Sequence, residues 1–470
     1  MRLGLLLEAL IDIAQTAKTD FAISMNMTPS GLSKILKGGR LPFIKEKRAF
    51  CKRASAYFAE SLYSYHCYFK FLPLFPVIYD FSSKYELEIF LSCALEYAID
   101  NDFEYEYDGK PVLSDREVSF LGKKNILNLF CVLVSDHITR GSEIPLEFYS
   151  ALPLCDHLYY DIFHRIKIAN TQKPENILFH HFFNMSCLES SSTDYNLGTL
   201  AAIARAEKYL DLNLLEITEE IGNPFLLLRG QFLMVFSIQL DGTPLMTFIK
   251  QKSYLTTFYN SLIRKNTRKI SYDGKEARAA LANDPSLLFR LTNGFVDAVY
   301  NFISIGYLIH EEEMKNNHSD EVIKKSILEL FHRILTEETK FYVNIDAMIG
   351  FQSSGHAIIP LVGIVNIPLE ERIPYLKRFD SYIHKDNVNR IRIVNSELPK
   401  VAVLCSKGMS IIYLADNDSE KIHYFRTDMI NDNLKKEIAD NNMKLMDFSV
   451  DLWNNFLDEM SKDLHNVDYL

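Results

Sequence analysis

The chain lacks the residue patterns that most catalytic and metal chemistry needs. Its seven cysteines, at positions 51, 67, 93, 131, 155, 187 and 405, are odd in number, widely spaced and without a CxxC pair. That spacing argues against a zinc knuckle or a disulfide framework and fits a reducing, cytoplasmic setting. No GxGxxG or comparable phosphate-cradling loop occurs. Apolar runs are too short or too interrupted to span a membrane: 295–309 holds Asp297 and Asn301, and 357–369 is broken by Pro360 and Pro368. The apolar start, Leu3 to Leu7, gives way to Glu8 and Asp12 at helical spacing, unlike a secretory leader. No segment recurs at a fixed period, so a tetratricopeptide array is not supported.

What remains is a globular composition. Of 470 residues, 48% are hydrophobic, enough for a large core and two or three domains. Charge is distributed unevenly. Residues 1–56 carry ten Lys/Arg against four Asp/Glu, a net +6, whereas the whole chain is −10, which leaves −16 on the rest. A basic end on an acidic body is the footprint of a protein that meets phosphates at one end only.

That basic end contains a motif. From Ala22 to Gly38 the sequence reads as a short helix, a tight turn and a second helix. Thr28 is a good N-cap, and Pro29 falls at the first helical position, where its missing N–H costs nothing. Asn26 sits at the corner, where a positive φ is needed and Asn tolerates it. Ala22, Leu32 and Ile35 are the small and branched residues that let two helices cross.

These residues, with Lys18 before them and Arg40-Leu41-Pro42 after, resemble a lambda-repressor-like (Xre-type) helix-turn-helix domain over about residues 1–60. The resemblance implies double-stranded DNA as the partner. It places Lys18 at the phosphate clamp, and Thr28, Pro29, Ser30 and Gly31 at the face that reads bases. Ser33 and Lys34 fall on the next exposed turn, and Lys37 and Arg40 join Lys18 and Lys34 as phosphate contacts. Two departures matter: Asn26 replaces the usual corner glycine, and Gly31 stands where a larger reading side chain often sits. A reading face of Ser, Thr and Lys predicts sparse base readout and strong salt dependence.

Beyond the head the expectation is a mainly α protein with α+β parts: a large helical body carrying two small mixed α/β regions. The expected domains are 1–70, 71–225 and 226–470. Helices are expected at 44–57 and 57–69, and the Leu72-Pro73-Leu74-Phe75-Pro76 stretch reads as a linker. Ser83 and Glu86 form a capping box that opens a helix through Ile99. Helical periodicity returns at 124–135, 145–168 and 197–210, and further on at 253–264, 277–281 and 295–310. Ser319 with Asp320 and Glu321 starts a helix bearing Ile323, Ile327, Leu330, Phe331 and Ile334. Strands are expected at 226–249 around the turn Asp241-Gly242, and at 341–345, 390–394, 401–404, 410–414 and 422–425, with Lys407-Gly408 as a turn. The segments 232–264 and 401–439 share a hairpin-and-helix pattern consistent with a distant duplication. The final helix, 449–464, puts Trp453, Phe456, Leu457, Met460 and Leu464 on one stripe, either core or dimer seam.

Chemistry elsewhere is thin. Asp156, His157, Asp161 and His164, with His180 and His181 nearby in sequence, have spacings open to a metal or acid–base site, but interleaved aromatics favour satisfied histidines. Ser353-Ser354-Gly355-His356 lacks a nucleophile elbow. Glu311-Glu312-Glu313 reads as a solvated acidic face. No metal, cofactor or enzymatic activity is expected. The sequence reads as a homodimeric transcriptional regulator whose aromatic-rich body takes a small-molecule or peptide effector, with no membrane association. The alternative is a protein-interaction or phage-defence component with an autoregulatory DNA-binding head.

Overall fold

The computed structural model describes residues 1–106, 119–140, 145–153, 162, 177–184, 211–217, 222–283, 293–314, 320–383, 388–395, 400–416, 419–440 and 444–467. The chain divides into two compact units: Met1–Phe182, Ala206–Leu212 and Glu219–Lys265 form the first, and Phe183–Arg205, Asn213–Thr218 and Asn266–Leu470 the second.

The N-terminal region is helical: α1 (Leu3–Ala14), α2 (Lys18–Ser24), α3 (Pro29–Leu36), α4 (Lys47–Leu62), α5 (Lys84–Glu106) and α6 (Lys123–Thr139). Residues 44–69 do not form two α-helices meeting at Tyr57. A 3-10 turn at Ile44–Glu46 leads into α4, and a second follows at Cys67–Phe71. In the 72–76 stretch Leu72 and Pro73 are exposed, but Phe75 is fully buried and meets Phe90 edge-on at 5.0 Å. Half of the expected capping box of α5 forms: the Glu86 N–H donates to Ser83 Oγ, whereas Glu86 Oε2 accepts the N–H of Ser82, one residue before the cap, at 2.8 Å. Both faces of α5 are covered, because Leu91, Leu95 and Ala98 are as buried as Leu87, Phe90 and Ala94. It packs against α1, α4 and α6.

The body is not helical with small mixed regions; it is built on two eight-stranded mixed sheets. The first comprises β1 (Ser119–Leu121), β2 (Leu146–Ser150), β3 (Ile177–Asn184), β4 (Asp211–Ile217), β5 (Phe225–Leu228), β6 (Phe232–Ile238), β7 (Pro244–Ile249) and β8 (Thr267–Lys269), with α7 (Lys252–Ile263) after β7. Its order is β1-β7-β6-β5-β2-β3-β4-β8. The second comprises β9 (Ser271–Asp273), β10 (Val296–Asn301), β11 (Lys340–Asn344), β14 (Ile391–Asn395), β15 (Ala402–Ser406), β16 (Met409–Asp416), β17 (Ser419–Phe425) and β18 (Lys444–Asp447). A separate hairpin, β12 (His356–Ile359) and β13 (Gly363–Asn366), lies between β11 and β14 in sequence. The accompanying helices are α8 (Gly274–Asn283), α9 (Glu321–Thr336), α10 (Ile345–Ser354), α11 (Arg372–Lys377), α12 (Met429–Asp440) and α13 (Val450–Val467).

The helix expected over 295–310 is strand β10 followed by a loop. Val296, Ala298, Val299 and Tyr300 are nearly or fully buried at the centre of the second sheet, and such a strand shows no period-2 alternation. Likewise 146–150 is strand β2 rather than part of a helix, while 197–210 lies outside the described residues.

Read from its other edge, the second sheet runs β9-β17-β16-β15-β10-β11-β14-β18, the same permutation as the first. The central pair is parallel in each (β2 with β3, β10 with β11), and β1, β5, β6 and β7 match β9, β15, β16 and β17 in antiparallel pairing. Ring pairs mark the equivalence: Tyr149 stacks on His180 at 4.7 Å and Tyr300 on Tyr342 at 4.6 Å. The β5–β6 and β15–β16 turns each carry a glycine in the left-handed region, Gly230 (φ 69°) and Gly408 (φ 70°). The body is a tandem duplication of one topology.

Candidate nucleic-acid interface

The turn between α2 and α3 is fixed by local chemistry. The Met27 N–H donates to the Ala22 carbonyl at 2.9 Å and the Asn26 N–H to that of Ile23 at 3.0 Å, which draws Asn26 to φ 53°. Thr28 is extended, its hydroxyl accepts from the Gly31 N–H at 3.1 Å, and Pro29 occupies the first helical position. Gly31 suits this cap, since a Cβ there would stand 3.1 Å from Thr28 Oγ1.

One face of α3 is locked into the helical core. Leu32, Ile35 and Leu36 are buried, as are Leu6, Leu7 and Leu10 of α1, Phe21 of α2 and Phe58 of α4. Phe21 and Phe58 pack at 4.8 Å between ring centroids. The crossing of α1 and α3 depends on Gly4, where a Cβ would lie 2.2 Å from the Leu36 carbonyl oxygen. The sequence reading missed Gly4, although a glycine inside an otherwise apolar helix is the available signal for close backbone approach.

The opposite face is open. Thr28, Pro29, Ser30, Lys34, Lys37 and Arg40 are exposed, and Gly31 and Ser33 are half-buried. Among the described residues Lys34 and Lys37 form no ion pair. The Arg40 guanidinium lies 5.4 Å from the Phe43 ring, itself 63% exposed. Lys18, at the start of α2, pairs with Glu8 at 2.9 Å. Both are exposed, so the pair is worth at most about 1 kcal/mol and yields readily to a phosphate. Lys45, Lys52 and Arg53, which the motif did not single out, are exposed cations on the 3-10 turn and α4. Arg2 and Lys47 instead bind Asp102 and Asp100 of α5.

The other candidates separate. Asp156, His157, Asp161 and His164 lie outside the described residues. His180 and His181, adjacent on β3, point to opposite faces. His180 stacks on Tyr149 and lies 3.8 Å from Glu147, a carboxylate that also binds Arg229 at 2.6 Å. His181 is buried with Nδ1 3.4 Å from Ser150 Oγ. Ser354 accepts the His356 N–H at the end of α10, where Gly355 has φ 69°, so that segment is a helix terminus. Glu313 binds Arg378 through both oxygens, at 2.7 and 2.9 Å. No helix among the described residues is long and apolar enough to cross a membrane.

No family model matches the chain, and no curated protein is similar to it. Among solved structures it is similar to TrmBL2, an archaeal chromatin protein whose structure is described as showing a novel mode of DNA binding. The identity is 13% and the TM-score 0.20, over 37% of this chain and 64% of that one. A likeness that slight carries no argument about fold or function.

Proposed function

We propose that the head binds double-stranded DNA as an Xre-type regulator, with the exposed face of α3 in a major groove and Lys18, Lys34, Lys37 and Arg40 on phosphates. One observation carries this reading. The apolar face of α3 is fully engaged in the core, while its outward face presents hydroxyls and two lysines that no acid among the described residues neutralises. A helix held rigidly from behind and open in front is what groove insertion requires. Because the reading face offers only small hydroxyl side chains beside four cations, affinity comes mainly from phosphates and specificity from few contacts.

The test is fluorescence anisotropy of the full chain on duplex DNA across a salt series. Lys34→Ala with Lys37→Ala removes two phosphate contacts, so the slope of log K against log salt should flatten by about 1.8 and binding should weaken on every duplex alike. An unchanged slope would overturn the assignment.

A further inference from the structure

Corresponding strands of the two sheets pack differently: two phenylalanines of the first, Phe232 and Phe248, are isoleucines in the second, where a cavity opens. The ladders align Leu228 with Leu404, Phe232 with Ile411, Met234 with Tyr413 and Phe248 with Ile422. In the first sheet all four are at most 6% exposed. In the second, Leu404, Ile411 and Ile422 are only half-buried although they face inward. The helix that follows the first strand of each repeat explains part of this. In the first repeat it is α6, seventeen residues long and buried without a break from Ile126 to Asp136. In the second it is α8, ten residues long, which offers Ala277, Ala280 and Leu281 to the same space.

The result is a cavity of about 370 Å³ whose far wall is Ile327, Leu330, Phe331 and Ile334 of α9. Three of its four tyrosines, Tyr272, Tyr307 and Tyr413, have their O–H groups engaged by protein acceptors. Tyr413 donates to Glu420 at 2.8 Å, Tyr272 to the Lys269 carbonyl at 2.9 Å and Tyr307 to Asn301 at 2.9 Å. Among the described residues no Asp or Glu lines the cavity, and its only charges are Arg268 and Arg426. Arg268 is committed to Glu216 and lies over the Tyr424 ring at 5.0 Å. Arg426 is exposed and makes no hydrogen bond or ion pair among the described residues.

We propose that this cavity binds an apolar monocarboxylate of medium chain length, its hydrocarbon body against α8, α9 and the sheet and its carboxylate on Arg426. Volume and apolar lining match a small-molecule site, and one unpaired cation sets the polarity of the ligand's end. The inference does not rest on DNA binding by the head. Calorimetric titration of the full chain with decanoate and with decanol tests it. Decanoate should bind one-to-one and at least about tenfold more tightly than decanol, the worth of one charge-assisted hydrogen bond. Arg426→Ala, an exposed change, should bring decanoate down to the decanol level without affecting decanol. Ala280→Phe, which fills the cavity, should abolish binding of both while leaving the ligand-free melting temperature unchanged. If Ala280→Phe does not fold, the Arg426→Ala comparison decides alone. Absence of decanoate binding, equal affinity for acid and alcohol, or wild-type affinity in folded Ala280→Phe would each overturn the proposal.

Discussion

At the scale of single residues, two positions translate directly into measurements. Gly4→Ala drives a methyl group to 2.2 Å from a backbone carbonyl, which cannot swing aside as a side chain would. We expect a loss of about 1–3 kcal/mol, the usual cost of overpacking. Gly39→Ala is the control, since its added Cβ meets nothing nearer than 3.6 Å. Thermal unfolding of the two variants checks the contrast, and equal melting temperatures would refute the crossing argument. His181 acts through pH. Burial disfavours its imidazolium and pushes its pKa down to about 3 from an ordinary 6.5. Above pH 6.5 the ring is neutral in folded and unfolded chains alike. Below it the unfolded chain takes up a proton that the folded chain refuses, so stability falls by about 1.4 kcal/mol per pH unit through this residue. Urea unfolding at stepped pH should show that His181→Gln has a shallower decline between pH 6.5 and 4.5 than the parent. Parallel declines would place the acid sensitivity elsewhere.

At the scale of elements, the head was legible because its signals are local. Thr28, Pro29 and Asn26 act within four residues of themselves, and the helix start, the cap and the positive φ all fall where their chemistry places them. Thr28→Ala should cost about 1 kcal/mol by orphaning the Gly31 N–H, and Thr28→Ser, which keeps the hydroxyl, should restore it. A melting temperature insensitive to both would mean the cap is replaced by water at no cost. The same locality made β5 to β7 readable, since Asp241 accepts the Thr243 N–H at 2.9 Å and Gly242 takes φ 81°. Strand β10 was not legible, although its neighbours β11 and β15 were expected at 341–345 and 401–404. Val299 and Tyr300 are buried, and their partners lie at Phe341 and Leu404 and at Tyr342 and Val403, a separation that no local period reports. Duplication was visible only in its hairpins, where turn chemistry is explicit, and invisible in β2, β3, β10 and β11. The stripe on α13 resolves as core: Trp453, Leu457 and Met460 are at most 5% exposed, and Trp453 Nε1 donates to Asp380 at 2.9 Å.

At the scale of the whole molecule, the motif-bearing head is not separately packed. Two of its cations reach acids on α5, Arg2 to Asp102 and Lys47 to Asp100, and the Leu3 N–H donates to Asp102 at 3.0 Å. The inner face of α4, including Cys51, Ala54 and Phe58, is fully buried, and α4 lies along α5, which supplies part of that cover. Cutting the chain at residue 70 therefore removes both an apolar partner and the carboxylates that neutralise buried-side cations. The burial lost is that of a whole helix face, far more than the few kcal/mol by which a 70-residue unit is ordinarily stable. A fragment of residues 1–70 should melt without a cooperative transition in circular dichroism and bind duplex DNA much more weakly than the full chain does. A cooperative melt together with full-chain affinity would show instead that the motif stands alone and that α5 contributes nothing to it.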